Sequence, residues 1–315
     1  MAQKVSVVMA ARNAATTIEQ ALNSVLACRE TGQVIVIDDG STDATRDKAL
    51  SIGDPRIDIV DGPMQGAGAA TQTGLMLARL PFVSICDSDD FIPNDRFEWQ
   101  LAWLEANPDF VAVSGGFSSV DTDGSHVADL SVGVGPCEVQ ETLKGGDVIT
   151  SLCTFLTRTD ALQKLGGVRP WFRAGYDIDF QLRLAETGRI WHEPRISYFW
   201  RLHEKSTTHS FARELNEFYL EKAKLFQKQR KSGVEDDLAA GRPPTPPENN
   251  TANVLAAKDH VAQQLESAAW LALKEGDRQK AMSKMFKSLQ RRPISLGAWR
   301  SILVMSYKAF MPFRR

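Results

Sequence analysis

Carboxylates concentrate at two places in this chain where they could do chemistry. Asp38-Asp39-Gly40-Ser41-Thr42-Asp43 and Asp87-Ser88-Asp89-Asp90 each follow an apolar, β-rich run, as does the polar stretch Ala11-Arg12-Asn13. Neighbouring carboxylates repel one another, and burial adds to the cost. A cation among them removes that cost. Oxygen-only donors favour a hard ion, Mg²⁺ or Mn²⁺. Such ions keep waters and share their coordination with substrate phosphates. The clusters therefore point to a phosphate-bearing ligand held through a metal, with Asp39, Asp87 and Asp89 expected to converge. Each cluster also has a plainer use. Asp-Asp-Gly-Ser suffices as a turn with a helix N-cap, and Asp-Ser-Asp-Asp could be a solvated loop. Its place directly after a buried run favours the functional use.

Those residues must be positioned by a scaffold. Lys4 to Ala10, Gln33 to Ile37, Arg56 to Val60 and Phe82 to Cys86 read as strands. Helical patterns fall between them: one after a Thr16/Glu19 capping box, one from Ser41 to Ser51, one from Ala67 to Ala78. Strands alternating with helices predict an α/β fold with a mostly parallel sheet, whose ligands sit beyond the carboxyl ends of the strands. Further on, short strands with Gly and Asp turns are expected from Phe110 to Ala128. A helix is expected over Asp177 to Thr187, a strand over Ile196 to Trp200 and a helix over Phe211 to Lys231. The Pro-rich stretch Ala239 to Asn250 is the best linker. The expected domains are residues 1–230, a linker over 231–252, and a helical extension over 253–315.

Composition excludes several classes. Hydrophobic residues make up 43% and charged residues 24% of the 315, which rules out wholesale disorder. No apolar run reaches the length of a transmembrane helix. Cys28, Cys86, Cys137 and Cys153 show no C-x-x-C spacing, so no zinc or disulfide framework is expected and a reducing cytoplasm suits the chain. Net charge is −2, yet from Asp277 onward ten basic residues face one acid. The acidic body argues against nucleic acid as a partner, and the basic tail suggests an anionic surface. A nicotinamide dehydrogenase would need G-x-G-x-x-G after the first strand. Ala10-Ala11-Arg12-Asn13 stands there instead.

Taken together, four segments resemble the family 2 glycosyltransferases with a GT-A fold, over residues 4–210. They are Ser6 to Asn13, Val34 to Asp43, Cys86 to Asp90, and Gly175-Tyr176-Asp177-Ile178-Asp179-Phe180-Gln181-Leu182-Arg183-Leu184. The resemblance implies an inverting transferase that uses a nucleotide-diphosphate-sugar donor. It implies donor contacts from Ala11, Asn13, Asp38 and Asp39, and a D-x-D element formed by Asp87 and Asp89. Asp89 would be the direct metal ligand, with Asp87 orienting ribose or a metal-bound water. Asp177 would be the general base. Arg201, His203 and Ser206 resemble a loop that closes over the diphosphate. The chain departs from the family at Ala11 and Arg12, at Thr71-Gln72 in place of Arg-Asn before Gly74, and at Tyr176 in place of Glu. It lacks the Q-x-x-R-W motif of processive synthases, which favours single additions in surface-polysaccharide or other glycan synthesis.

A competing use of the same residues is a non-catalytic nucleotide-sugar binder or scaffold, motivated by Thr71 and Tyr176. The acceptor class implied for an enzyme is a glycan or lipid-linked hydroxyl. In the tail, Leu296, Trp299, Leu303 and Phe310 can share one helix face, flanked by Ile302. That stripe serves either an anionic membrane or packing within the protein. With a membrane, the enzyme would be peripheral on the inner face.

Overall fold

A computed structural model describes residues 3–130, 135–203, 213–248 and 254–310. They fall into two compact units. The first comprises Met1–Ser118, Asp129–Trp200 and Arg213–Glu248, and the second Ser119–Ala128, Arg201–Ala212 and Asn249–Arg315.

The N-terminal elements are β1 (Val5–Ala11), α1 (Ile18–Ala27), β2 (Thr31–Asp38), α2 (Thr45–Ser51), β3 (Ile57–Asp61), α3 (Ala67–Leu77), β4 (Phe82–Ile85) and α4 (Arg96–Ala106). Then come β5 (Phe110–Val120), β6 (His126–Asp129), β7 (Cys137–Glu138), α5 (Gln140–Gly145), a 3₁₀ turn Leu152–Thr154, β8 (Leu156–Arg158) and α6 (Thr159–Leu165). The remainder is α7 (Tyr176–Thr187), β9 (Arg189–Arg201), α8 (Arg213–Lys231), α9 (Val254–Lys274), α10 (Arg278–Arg291) and α11 (Leu296–Phe310).

Among the described residues the strands form one sheet in the order β3-β2-β1-β4-β8-β5-β9-β7, with β6 paired to β5. The expected parallel sheet is its first half: β3-β2-β1-β4 run parallel. Beyond β4 the partners turn antiparallel, at β4–β8, β8–β5 and β9–β7, so the sheet is mixed. Val5, Val7, Val8 and Met9 of β1 and Val34 to Ile37 of β2 are all buried, which is why these strands read as unbroken apolar runs. Apolar clusters cover both faces. One gathers Ile18, Leu22 and Val25 of α1 with Phe97 and Leu101 of α4, and the other gathers Leu75 of α3 with Phe180 and Leu184 of α7.

Register aligns the carboxyl ends. Ala11 pairs with Asp38, Asp38 with Asp61, and Val8 with Ile85. The loops after β1, β2 and β4 therefore leave the same edge of the sheet. Helix α3 lies close on β1 because Gly74 has no side chain: a Cβ there would stand 2.4 Å from Val8 Cγ1.

Two helix starts differ from expectation. Helix α1 begins at Ile18, and its N-cap Thr17 makes no capping bond, so the Thr16/Glu19 box is not formed. Helix α2 begins at Thr45 and not Ser41. Ser41, Thr42 and Asp43 bond the Asn13–Ala15 loop instead.

In the second unit, α9, α10 and α11 share a small core of Ala269, Ala272, Leu273, Ala281, Met285 and Met305. Helix α10 also ties down the turn between β5 and β6. Lys287 pairs with Asp121 (2.9 Å) and Asp123 (2.8 Å), and Arg291 with Asp121 (2.7 Å). Among the described residues no helix is long and apolar enough to cross a membrane.

Candidate functional site

The loop after β1 is stitched to the loop after β2. Asn13, in the left-handed region at φ 53°, accepts the Thr42 N–H at 2.8 Å, and its own N–H donates to Ser41 Oγ at 3.0 Å. Asp38 Oδ1 accepts the Ser41 N–H at 2.9 Å, and Asp39 donates its N–H to the Ala11 carbonyl at 2.8 Å. Ala11, Asn13, Asp38 and Asp39 are thus one hydrogen-bonded patch.

Asp39 is buried, and its carboxylate is used within the fold. Oδ1 accepts the N–H of Met64 at 2.6 Å and Oδ2 that of Gly66 at 2.8 Å. The loop leading into α3 therefore wraps this side chain. Gly62 permits it, since a Cβ there would fall 2.8 Å from Asp39 Oδ1.

Asp87, Asp89 and Asp90 bring carboxylate oxygens within 4.8 Å of one another. Asp90, which the sequence did not single out, takes the place expected for Asp39 in this group. The loop is held from behind by β9. Phe91 and Phe199 form an isolated β-bridge and stack their rings at 4.9 Å. Next to them the buried Tyr198 hydroxyl accepts the Asp87 N–H at 3.0 Å and donates to Asp90 Oδ2 at 2.8 Å. Cys153 Sγ donates to Asp87 Oδ2 at 3.5 Å. Neither Tyr198 nor Cys153 carries a local sequence signal, because their partners lie 111 and 66 residues away.

Asp177 stands in the first turn of α7, after Gly175 in the left-handed region. Burial raises its carboxyl above the ordinary range, opposed by the backbone N–H groups of Ile178 and Asp177. Burial, the charge of Asp89 and, more weakly, that of Asp177 push Asp87 up to about 7, against the Cys153 hydrogen bond. The two loops therefore share one electrostatic environment. Tyr176 packs its ring at Gly68 of α3, where a Cβ would lie 3.2 Å from Tyr176 Cδ1. Of the other departures, Thr71 is buried in α3, and Gln72 donates to the Gly166 carbonyl at 3.0 Å.

Arg201 and His203 belong to the second unit. Arg201 is buried and donates to the carbonyls of Asp121 (3.4 Å) and Thr122 (2.8 Å). His203 is half-buried. Ser206 lies outside the described residues.

Comparison with known proteins agrees with this architecture. The family described as "Glycosyl transferase family 2" matches residues 6–166. The succinoglycan biosynthesis protein ExoO of Rhizobium meliloti is 35% identical over 188 residues, covering 59% of this chain and 52% of ExoO. The UDP-Glc:alpha-D-GlcNAc-diphosphoundecaprenol beta-1,3-glucosyltransferase WfgD of Escherichia coli is 34% identical over 105 residues, covering 33% of this chain and 42% of WfgD. The chain thus spans about half or less of the length of these curated relatives. The crystal structure of S. aureus TarS 1-349 in complex with UDP-GlcNAc superposes with a TM-score of 0.60 over 97% of this chain and 88% of TarS, at 15% identity, a likeness of fold. The family match covers half of the sequence and the relatives are glycan-synthesis proteins: the chain belongs to glycosyl transferase family 2.

Proposed function

We propose that the protein transfers a sugar from a nucleotide-diphosphate-sugar to an acceptor hydroxyl, with inversion at the anomeric carbon, in the synthesis of a surface polysaccharide or another glycan. The observation that carries this is the meeting of Asp87, Asp89 and Asp90 with the electrostatic reach of Asp177, beyond the carboxyl ends of the parallel strands. Family membership and the UDP-sugar named for TarS support the donor class. The diphosphoundecaprenol named for WfgD supports a lipid-linked acceptor.

The acidic group fits a hard divalent cation. Its donors are oxygens within 4.8 Å of one another, and Asp87 is held up near 7 by burial and by its neighbour's charge. Asp89 and Asp87 would hold Mg²⁺ or Mn²⁺, with Asp90 behind them. A bound ion supplies charge neutralisation for the departing diphosphate. The patch of Ala11, Asn13, Asp38 and Asp39 receives the nucleoside. Asp177 takes the proton of the acceptor hydroxyl as that oxygen attacks C1. Its raised pKa makes it a stronger base than an exposed carboxylate, while the α7 N-terminus keeps its charged form accessible.

A donor panel assayed for released nucleoside diphosphate, with and without Mn²⁺, tests the proposal. Release should need the metal, and Asp89→Ala should abolish it with the circular-dichroism spectrum unchanged. Full wild-type activity in EDTA overturns the metal-dependent mechanism. Donor binding with no turnover on any acceptor or water would make the protein a scaffold.

A further inference from the structure

Helix α11 turns two faces in different directions. Ala298 and Met305 are buried and Ile302 packs against the α9–α10 core, so one side is consumed by folding. On the opposite side Leu296, Trp299, Leu303 and Tyr307 follow at intervals of three and four residues, which places them on one stripe. They remain 87%, 48%, 67% and 64% exposed. Ile294, just ahead of the helix, is also exposed. The only polar ring atom of Trp299 is satisfied, its N–H donating to the Pro293 carbonyl at 2.8 Å. What it leaves to solvent is the apolar body of the indole. Ile302, expected to flank the stripe, lies on the buried side, Tyr307 joins the exposed one, and the side chain of Phe310 lies outside the described residues.

Along the segment itself the charge is of one sign. No acid stands anywhere between Arg278 and Arg315. Arg300 is exposed and sits one turn from both Leu296 and Leu303. Lys308, further round the same flank, lies over the Trp270 ring at 5.4 Å. From Leu296 to Tyr307 the stripe is about 16 Å long, at a rise of 1.5 Å per residue.

We propose that this face docks on an anionic membrane, with Leu296, Trp299, Leu303 and Tyr307 entering the headgroup–acyl boundary and the exposed Arg300 meeting lipid phosphates. Trp and Tyr suit that boundary because their rings are apolar while their polar atoms stay hydrated or bonded. A helix with large apolar residues on one side and cations beside them is the composition of an interfacial helix. A second copy of the chain is the poorer occupant, since it would bring two acid-free, basic helices together. The proposal stands apart from the transfer reaction, because vesicle binding is read without donor or acceptor.

The test uses the full chain and co-sedimentation with vesicles of phosphatidylglycerol and phosphatidylcholine, against vesicles of phosphatidylcholine alone. The full chain should bind the anionic vesicles at low salt and bind the neutral ones at least about 10-fold more weakly, each nearby cation adding to the attraction. Binding should weaken near 1 M salt, where charges are screened within about 3 Å. The triple variant Trp299→Gln, Leu303→Gln, Tyr307→Gln alters only exposed positions and a good helix-forming residue replaces each. Its melting temperature should match wild type, and its vesicle binding should fall by about 10-fold or more, because binding scales with apolar area entering the interface. The proposal is overturned if wild type stays in solution with anionic vesicles, or if the triple variant binds as well as wild type. It is equally overturned if wild type self-associates through this face, shown by a mass in light scattering that the triple variant reduces, while binding no vesicle.

Discussion

Asp177 and Asp179 stand two residues apart in the first turn of α7 and meet opposite surroundings. Asp179 is fully buried and neutralised. Arg169 reaches both of its oxygens, Arg183 Nε donates to Oδ2 at 2.8 Å, and Arg169 in turn holds Asp236 at 2.8 Å. Arg230 closes the network on Asp236 (2.6 Å) and Glu186 (2.8 Å). Three guanidinium groups meet three carboxylates. Asp177 is only partly buried, and its charge helps raise Asp87, another carboxylate, in the loop after β4. One helix start thus carries a carboxylate whose charge is spent on holding the fold and another whose charge is left in tension. In the proposed mechanism that tension marks the chemical site, and the paired cluster marks the scaffold that aims it.

Exchanging the roles of these two residues is the strongest way to break the contrast. Asp177→Asn keeps shape but cannot accept a proton, so turnover should fall by roughly 10²–10⁴ with donor affinity nearly unchanged. Steady-state kinetics with a fixed donor measure this. Normal turnover in Asp177→Asn would remove it as the base.

Asp179→Asn should do the reverse. It leaves Arg169 and Arg183 facing a neutral group in a buried site, which costs about 3–5 kcal/mol of stability. Urea melts should reveal that loss, while the folded fraction should turn over normally. A stable variant with lost turnover would transfer the catalytic role to Asp179.

The third test concerns pH. In the folded, metal-free protein Asp87 is raised from its ordinary 3.8 to about 7. Between those values the folded state binds a proton that the unfolded chain has released. Stability from this group is therefore greatest at low pH within the window and declines as pH rises through 7. Melting temperatures of metal-free protein should show this decline relative to Asp87→Asn, by a few degrees between pH 5 and 8. Mn²⁺ should raise the melting temperature more at pH 8 than at pH 5, because binding needs the ionised form. If wild type and Asp87→Asn respond identically to pH, the crevice is not under electrostatic tension.

The smallest expected effect sharpens the picture from behind. Tyr198→Phe removes the hydroxyl that joins the Asp87 N–H to Asp90. It should cost about 1 kcal/mol of stability and weaken Mn²⁺ binding by roughly 10-fold, as expected for a group that orients metal ligands from outside. Calorimetric titration with Mn²⁺ checks this.

How far the sequence foretold this arrangement differs along the chain. The parallel half was legible because β1, β2 and β4 are buried on both faces and read as continuous apolar runs. Helix α4 was not. It buries Arg96 and Gln100, with Arg96 Nε on Gln100 (3.0 Å) and Nη2 on Ser84 (2.8 Å) and the Phe155 carbonyl (3.0 Å), so polar residues occupy its inner face and blur the apolar period. Strand β8, three residues long, is too short to show alternation. Asp38, Asp39, Asp87 and Asp89 stood out because acidic residues directly after apolar runs are conspicuous. Asp90 was hidden within the same run of acids, and Tyr198 looks like any strand tyrosine until β9 is placed behind the loop.

The turn between β5 and β6 has a consequence for how the chain is made. Asp121 receives Arg291 from 170 positions later in the sequence. At ribosomal speeds of roughly 5–20 residues per second, the acidic turn waits on the order of 10–30 s for its cations. The second unit therefore closes only once α10 has been synthesised. A premature stop ahead of α10 would release a chain whose early segments had every opportunity to fold, but whose turn carries two aspartates and none of the charges meant to meet them.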